Sequence, residues 1–327
     1  GALDLMELFK KPNIDFIGLR WIPISCSIAV MALSLLCMAV KGFNYSIEFT
    51  GGTLLQISFP AGSTVPVEGM RKALESEGLK TEIQSVEGPR PTFILREQVT
   101  EDAEATVYAN KALSALKKAF PSVEATIDRK DVIGPVVGKD LRRRTVWAIV
   151  LSLLGILVYV AYRFENPIWS VAGVIALFHD VIGVAGLFSF LGLQVDLLIV
   201  TALLTIAGYS ISDTIVIFDR MREKLHTDRT QDLRSLIDSS INETLSRTII
   251  TVLTVQLVSV TILFFGGPVL HNFALAMVVG NLLGSYSSVA VAAPLVYEYQ
   301  RRFGGKRSQH VPSGDVINSV KEGRRRR

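Results

Sequence analysis

Residues 197–220 read LLIVTALLTIAGYSISDTIVIFDR, an apolar run that ends in small and hydroxylated residues around one aspartate. A helix over Leu197–Phe218 is long enough to cross a bilayer core of about 30 Å. Asp213 then lies inside the membrane, roughly 7–8 Å from the charged end of the helix. A carboxylate there costs roughly 2.5–3.5 kcal/mol on insertion scales, so it should face protein or a water-filled cavity. Asp213 is therefore either a functional group or a protonated side chain that holds helices together.

The composition of the whole chain is that of a membrane protein. Of its 327 residues 49% are hydrophobic, and these are grouped in long blocks that an ordinary soluble domain does not have. The net charge of +4 gives no case for nucleic-acid binding. Cys26 and Cys37 would lie roughly 16 Å apart along one helix, too far to form a disulfide. We expect no cleavable signal peptide, and Gly1 in place of an initiator Met indicates a processed or trimmed end.

Six apolar runs predict six transmembrane helices. They cover roughly residues 19–40, 145–162, 169–191, 197–218, 248–265 and 273–295. We accordingly divide the chain into an N-terminal segment (1–18), a first transmembrane helix (19–42), a soluble domain (43–141), five further helices (142–297) and a basic tail (298–327).

The soluble domain, residues 43–141, shows alternating and amphipathic patterns. Their order is strand, helix, strand, strand, helix, strand, which is the βαββαβ order of a ferredoxin-like domain. The first strand is predicted over Ser46–Phe59, with a break at Gly51 and Gly52. This glycine pair does not indicate a phosphate-binding loop, because no Lys-Ser/Thr follows it. The predicted fold is a polytopic α-helical membrane protein with one α+β ferredoxin-like domain outside the cytoplasm.

The orientation follows from the charged residues of the loops. The segment 219–246 is rich in Lys and Arg, whereas 192–196 and 266–271 contain neither. The positive-inside rule therefore predicts that 219–246, the turn at Arg163 and both termini are cytoplasmic. Three consecutive arginines at 142–144 contradict this locally, and the other loops and the even number of spans outweigh them.

Part of the cytoplasmic segment is amphipathic. Apolar residues recur at helical spacing from Leu233 to Leu245. We expect this stretch to lie along the inner membrane interface.

Further polar side chains fall within the predicted spans. Arg247 opens the fifth span at roughly the depth of Asp213, and it either snorkels to the membrane surface or pairs with Asp213. Movement of a paired helix would let the carboxylate bind and release protons. Asp180 follows His179 nearer the middle of the third span. Asp180 and Ser210 are candidates for a proton path and equally for hydrogen bonding between helices.

An ordered set of short motifs runs along the chain. It comprises Phe49-Thr50-Gly51-Gly52-Thr53, Gly134-Pro135-Val136-Val137-Gly138, Arg163-Phe164-Glu165, His179-Asp180, Gly208-Tyr209-Ser210 with Asp213, Asp219-Arg220 and Phe265-Gly266-Gly267-Pro268. In this set and order the chain resembles the SecF family, the smaller membrane subunits of the bacterial SecD–SecF protein-export complex. The resemblance covers about residues 15–300. Glu48 departs from the family pattern, which commonly has Asp before Phe-Thr-Gly-Gly.

The resemblance implies a function in the bacterial inner membrane. Similar proteins use proton motive force to assist the late, ATP-independent stage of export through the SecYEG channel, and their six spans resemble half of a resistance-nodulation-division transporter. SecD would supply the other half, as a separate subunit or fused in one chain. Asp213 and Arg247 match the family's proton-linked pair, while Gly51, Gly52, Gly134 and Pro135 match structural motifs.

The implied partners are SecD, SecYEG, the translocating unfolded polypeptide and membrane lipid, with YidC and YajC as further candidates. Domain 43–141 would contact SecD or the emerging polypeptide. No cofactor, metal, nucleic acid or catalytic chemistry is expected.

Three other functions are compatible with parts of the sequence. An intramembrane aspartyl protease built on Asp180 and Asp213 is disfavoured, because its Gly-x-Gly-Asp motif is absent before Asp213 and the two aspartates differ in predicted depth. A drug efflux pump is also disfavoured, because a single six-span half with one small outer domain does not form a complete drug pathway. A passive scaffold without proton coupling stays open, and the Asp213–Arg247 pair is the feature that discriminates against it.

Overall fold

The computed structural model describes residues 12–79, 81–86, 88–164, 167–227 and 231–303. Within these ranges, six helices are long and apolar enough, by length and composition, to cross a membrane. The predicted number of spans is thus confirmed, and the chain is a polytopic helical membrane protein. Most of the predicted N-terminal segment and of the basic tail, residues 1–11 and 304–327, lies outside the described residues.

Membrane helices flank one inserted α+β region. In chain order the elements are α1 (Trp21–Lys41), β1 (Asn44–Tyr45), α2 (Ile47–Thr50), β2 (Gly52–Ser58), α3 (Val67–Ser76), β3 (Glu82–Val86), β4 (Thr92–Glu97), α4 (Asp102–Ala119), β5 (Thr126–Ile133), α5 (Pro135–Arg163), α6 (Pro167–Leu191), β6 (Gln194–Val195), α7 (Leu197–Thr227), α8 (Leu233–Phe265), α9 (Gly267–Ser287), a π-helical turn (Ser288–Ala292) and α10 (Ala293–Phe303).

Several membrane helices are longer than the apolar runs that predicted them. Helix α5 begins at Pro135, a residue suited to the first turn of a helix, and runs through the arginines at 142–144. Two of these arginines have partners: Arg142 lies over the ring of Tyr45, and Arg144 forms an ion pair of 2.7 Å with Asp140. Polar helix ends carry no hydropathy signal, so the runs marked only the apolar middle of each helix.

The amphipathic stretch from Leu233 to Leu245 is helical, and its position along the membrane interface stays a prediction. It is the first part of α8 and continues without a break into the fifth span. Its apolar residues Leu236, Ile237 and Ile241 are buried in the helical bundle. The amphipathic pattern therefore reflects packing against protein.

The α+β unit, residues 52–133, contains a four-stranded antiparallel sheet in the order β3-β4-β2-β5. Its elements follow the order β-α-β-β-α-β. Alternate residues of β2, among them Leu55 and Ile57, point to one face. There they pack with Leu74 of α3 and Leu116 of α4 in a closed apolar core.

The predicted strand over Ser46–Phe59 is partly wrong. Residues 47–50 form the short helix α2, and Ser46 caps it by accepting a hydrogen bond from the backbone N–H of Glu48. Only Gly52–Ser58 is a strand. A serine N-cap explains the local preference for a helical turn, which the alternating pattern concealed.

The bundle has a buried centre and an exposed rim. The six spans differ in how much of their most apolar stretch of 18 residues is buried. About half of it is buried in α6, α7 and the sixth span (50%, 44% and 50%), whereas only 11% is buried in α1 and 6% in α5. The rim helices thus present apolar faces to lipid or to a partner. Arg20 before α1 pairs with Glu298 of α10 at 2.8 Å, so both ends of the described chain lie at the same end of the bundle.

Candidate functional site

Asp213 faces a cavity of about 360 Å³ that helices α7, α8 and α9 line. Its Oδ1 atom accepts a hydrogen bond of 2.7 Å from the hydroxyl of Thr248 on α8. Its Oδ2 atom is buried and has no hydrogen-bond partner among the described residues. Leaving a buried carboxylate oxygen unpaired is costly, and the hydrogen-bonding capacity of Asp213 is only partly satisfied in this conformation.

Arg247 lines the same cavity from α8, one residue before Thr248, and its side chain is exposed. Across the described ranges, the salt bridges do not include one between Arg247 and Asp213. The two predicted partners therefore share a cavity without forming an ion pair in this conformation.

Asp180 lies at the middle of α6 and is completely buried. Its Oδ2 atom accepts hydrogen bonds from Ser210 of α7 at 2.5 Å and from Ser287 of α9 at 2.7 Å. Its Oδ1 atom lies 2.9 Å from Nδ1 of His179. Asp180 thus links helices α6, α7 and α9 by hydrogen bonds, as expected if it has a role in helix packing. A role of Asp180 in a proton path stays a prediction.

Ser210 connects the buried aspartate with the cavity. Its hydroxyl donates to Asp180, and the residue also lines the cavity that Asp213 faces. One helical turn later, Thr214 accepts or donates a 2.8 Å hydrogen bond with Ser288, the first residue of the π-helical turn. Such turns are frequent at functional sites.

The two membrane aspartates, Asp180 and Asp213, have separate hydrogen-bond partners. No hydrogen bond joins Asp180 to Asp213 in the described ranges, because Asp180 is bonded to Ser210, Ser287 and His179, and Asp213 to Thr248. A shared proton between two touching carboxylates is the basis of aspartyl protease chemistry. The described residues also contain no group of three or more His, Cys, Asp or Glu side chains that could hold a metal ion.

The two glycine-rich motifs predicted to be structural contact each other at the root of the α+β unit. Gly51 ends α2, and Gly134 precedes α5. A Cβ atom on Gly51 would lie 3.1 Å from Cα of Pro135, and one on Gly138 would lie 3.0 Å from the backbone nitrogen of Gly51. The glycines therefore allow two backbone segments to touch.

Thr248, Ser287 and Glu48 have structural partners that the sequence analysis missed. Thr248 follows Arg247 directly, and Ser287 belongs to the small and hydroxylated run of residues 284–288. Such runs favour hydrogen bonding between membrane helices, and this signal could have drawn attention to Ser287. In the sequence Glu48 stands out only as a departure from a motif, whereas in the structure its carboxylate accepts a hydrogen bond from the first backbone N–H of α7.

Comparisons with known proteins agree with this architecture. The family model "Protein export membrane protein SecD/SecF, C-terminal" matches residues 112–302, and "SecD/SecF GG Motif" matches residues 38–59. The protein translocase subunit SecF of Thermodesulfovibrio yellowstonii is 38% identical over 299 residues, which are 89% of this chain and 96% of that protein. SecF of Endomicrobium trichonymphae is 37% identical over 298 residues, covering 90% and 94% of the two chains.

A solved structure extends the similarity to three dimensions. The crystal structure of SecDF, a translocon-associated membrane protein from Thermus thermophilus, matches with a TM-score of 0.79 at 38% identity. The match covers 89% of this chain and 39% of the SecDF chain, so the similarity is to one part of that longer protein. The first family model matches more than half of this chain, and both relatives are more than 30% identical to it over most of their own length. The chain therefore belongs to the SecF family of protein translocase subunits.

Proposed function

We propose that this chain works with SecD as an accessory subunit of the Sec protein translocase and uses proton motive force in the late, ATP-independent stage of polypeptide export. The observation that carries the proposal is the cavity shared by Asp213 and Arg247. A helical bundle of this kind can support many functions, whereas these two side chains are specific to the proposed proton coupling.

The proposed chemistry is reversible protonation of Asp213. When the Asp213 side chain is ionised, Thr248 stabilises one oxygen and Arg247 supplies a nearby positive charge. When the cavity closes or Arg247 moves away, the carboxylate loses that compensation and binds a proton. Each change of protonation state then favours a different packing of α7 against α8, which is how a proton gradient can drive movement.

SecD is the proposed partner. In the SecDF proteins of Thermus thermophilus and Brucella abortus the similar region forms 39% of one longer chain. The exposed apolar faces of α1 and α5 leave room for such a neighbour. SecYEG, the unfolded polypeptide and, as further candidates, YidC and YajC complete the proposed assembly.

The orientation is part of the same proposal. We place the chain in the bacterial inner membrane with both termini cytoplasmic, in accord with the cations of 219–246. The α+β unit is then a ferredoxin-like domain on the outer side, where it meets SecD or the emerging chain. Its β-α-β-β-α-β order supports the ferredoxin-like assignment.

Asp213→Asn is expected to abolish the stimulation of export by a proton gradient, because asparagine keeps the size and hydrogen bonding of the side chain but cannot ionise. The measurement is export of a preprotein into inverted membrane vesicles that contain the SecD–SecF complex, with and without the gradient. Asp140→Asn is the matched control, since Asp140 is an exposed carboxylate on α5. Full stimulation by an assembled Asp213→Asn complex would replace the proposal by the passive scaffold.

Thr248→Val is expected to lower gradient-driven export severalfold without abolishing it. Valine keeps the shape of threonine but removes the hydroxyl that binds Asp213, a hydrogen bond worth about 1.5–3 kcal/mol when the acceptor is charged. Thr251→Val is the control, because Thr251 lines the same cavity while its hydroxyl binds only the backbone carbonyls of Arg247 and Thr248. Equal activities of the two variants would contradict a role for the Thr248 hydroxyl.

A further inference from the structure

The four-residue helix α2 connects the α+β unit with two membrane helices at once. On one side Glu48 reaches α7: its Oε2 atom accepts a hydrogen bond of 2.8 Å from the backbone N–H of Leu197, 149 residues away in sequence. On the other side Gly51, at the end of α2, contacts the start of α5 at Pro135. The next residue, Gly52, begins strand β2 in the interior of the sheet.

The contact between the Glu48 carboxylate and the start of α7 is electrostatically favourable. The first backbone N–H groups of a helix lack intrahelical acceptors and carry the positive end of the helix dipole. Asp196 satisfies one of them, the N–H of Ile199, at 2.9 Å. The N–H of Leu197 is satisfied instead by Glu48, a residue that precedes the α+β unit in the chain.

Backbone pairing reinforces this link. Strand β1 pairs with β6 in parallel, with Asn44 opposite Gln194 and Tyr45 opposite Val195. The backbone N–H of Ser46 then donates a 2.9 Å hydrogen bond to the carbonyl of Val195. The segment that carries Glu48 is thus hydrogen-bonded to β6, which directly precedes α7. A displacement of β2 would therefore also move the residues that contact the start of α7.

We propose that Glu48 is a positioning residue that transmits displacement of the α+β unit to α7, the helix that carries Asp213. The inference rests on the proposed function, because it assigns Glu48 a part in coupling rather than in export itself. The half-buried carboxylate is held by one backbone donor, so movement of α2 shifts or releases the N-terminal end of α7.

The acceptor oxygen, rather than the negative charge, is the essential feature of this link. Burial raises the pKa of the Glu48 carboxyl, while the hydrogen bond from Leu197 acts in the opposite direction. Asp196, Arg129 and Asp131 are the charged groups that act on it at longer range. Glutamine at position 48 offers a similar oxygen at a similar reach, whereas alanine offers none.

The test compares Glu48→Gln and Glu48→Ala in the complete SecD–SecF complex. For Glu48→Ala we expect amide hydrogen exchange in the first turn of α7 to rise about tenfold, as loss of one hydrogen bond predicts, and gradient-driven export to fall severalfold. Glu48→Gln should keep most of the protection and of the stimulation. Glu75→Ala, an exposed glutamate on α3, is the control.

The outcomes separate the link from the proposed function. If Asp213→Asn abolishes stimulation while Glu48→Ala keeps all of it, the link is overturned and proton coupling stands, even where exchange in α7 rises. Equal loss in Glu48→Gln and Glu48→Ala also overturns the link as stated. If Asp213→Asn itself keeps full stimulation, the proposed function and the link fall together.

Discussion

Replacement of Asp180 by alanine should lower the free energy of unfolding of the helical bundle by about 3–5 kcal/mol, because it leaves three buried polar side chains without their acceptor. The hydroxyls of Ser210 and Ser287 and the ring of His179 all bind this carboxylate. Without it these groups stay buried, and each unsatisfied donor costs about 1–3 kcal/mol unless it finds another acceptor. Both serines keep an alternative in the backbone carbonyls of their own helices, which limits the total.

Unfolding in mixed micelles measures this effect through the fluorescence of Trp169, in a chain whose other two tryptophans, Trp21 and Trp147, are replaced by phenylalanine. The indole of Trp169 is buried between Phe164 and Phe218 on the same helical core, so it reports on the bundle directly. Asp180→Asn should lose less than the alanine variant, because its amide oxygen still accepts a hydrogen bond. Asp140→Ala is the exposed control and should change the free energy by less than about 0.5 kcal/mol. A loss below about 1 kcal/mol in Asp180→Ala would show that the network does not hold the helices together.

Gly52→Ala is expected to destabilise the α+β unit by about 3 kcal/mol, through backbone strain and a direct collision. Gly52 has a φ angle of +138°, a conformation that residues with a side chain rarely adopt. Its Cβ atom would lie 2.7 Å from the carbonyl oxygen of Glu97 on the paired strand β4. That oxygen belongs to backbone, so the relief must come from movement of β2 or β4.

Gly62→Ala provides the matched control. Gly62 also has a positive φ angle, +83°, but a Cβ atom there would meet nothing within 4 Å. Its substitution should therefore cost only the conformational strain, about 1–2 kcal/mol. Hydrogen exchange of β2 and β4 in the full chain measures both variants. Equal protection in Gly52→Ala and Gly62→Ala would mean that the strand junction adapts to a side chain without cost.

The candidate site was predictable to the extent that its residues carry local signals. Asp213, Arg247 and Asp180 stand out because ionisable side chains are rare inside apolar runs. Thr248 and Ser287 carry ordinary polar groups, and only the packing of α8 and α9 against α6 and α7 turns them into partners of the aspartates. The predicted Asp213–Arg247 ion pair is absent among the described salt bridges. Two residues predicted at the same membrane depth need not be in contact, because the distance between their side chains depends on how the helices pack.

The long apolar runs were sufficient to predict the six membrane helices, because each span must satisfy its backbone hydrogen bonds internally in an apolar surrounding. Helix ends are polar and follow tertiary contacts, so the early start of α5 and the burial of Leu236, Ile237 and Ile241 within the bundle are visible only in the structure. The contact between α2 and α7 is likewise visible only in the structure, because it joins Glu48 to Leu197, 149 positions later in the chain. Local periodicity reports on neighbours along the chain, whereas these contacts depend on how the completed helices pack in space.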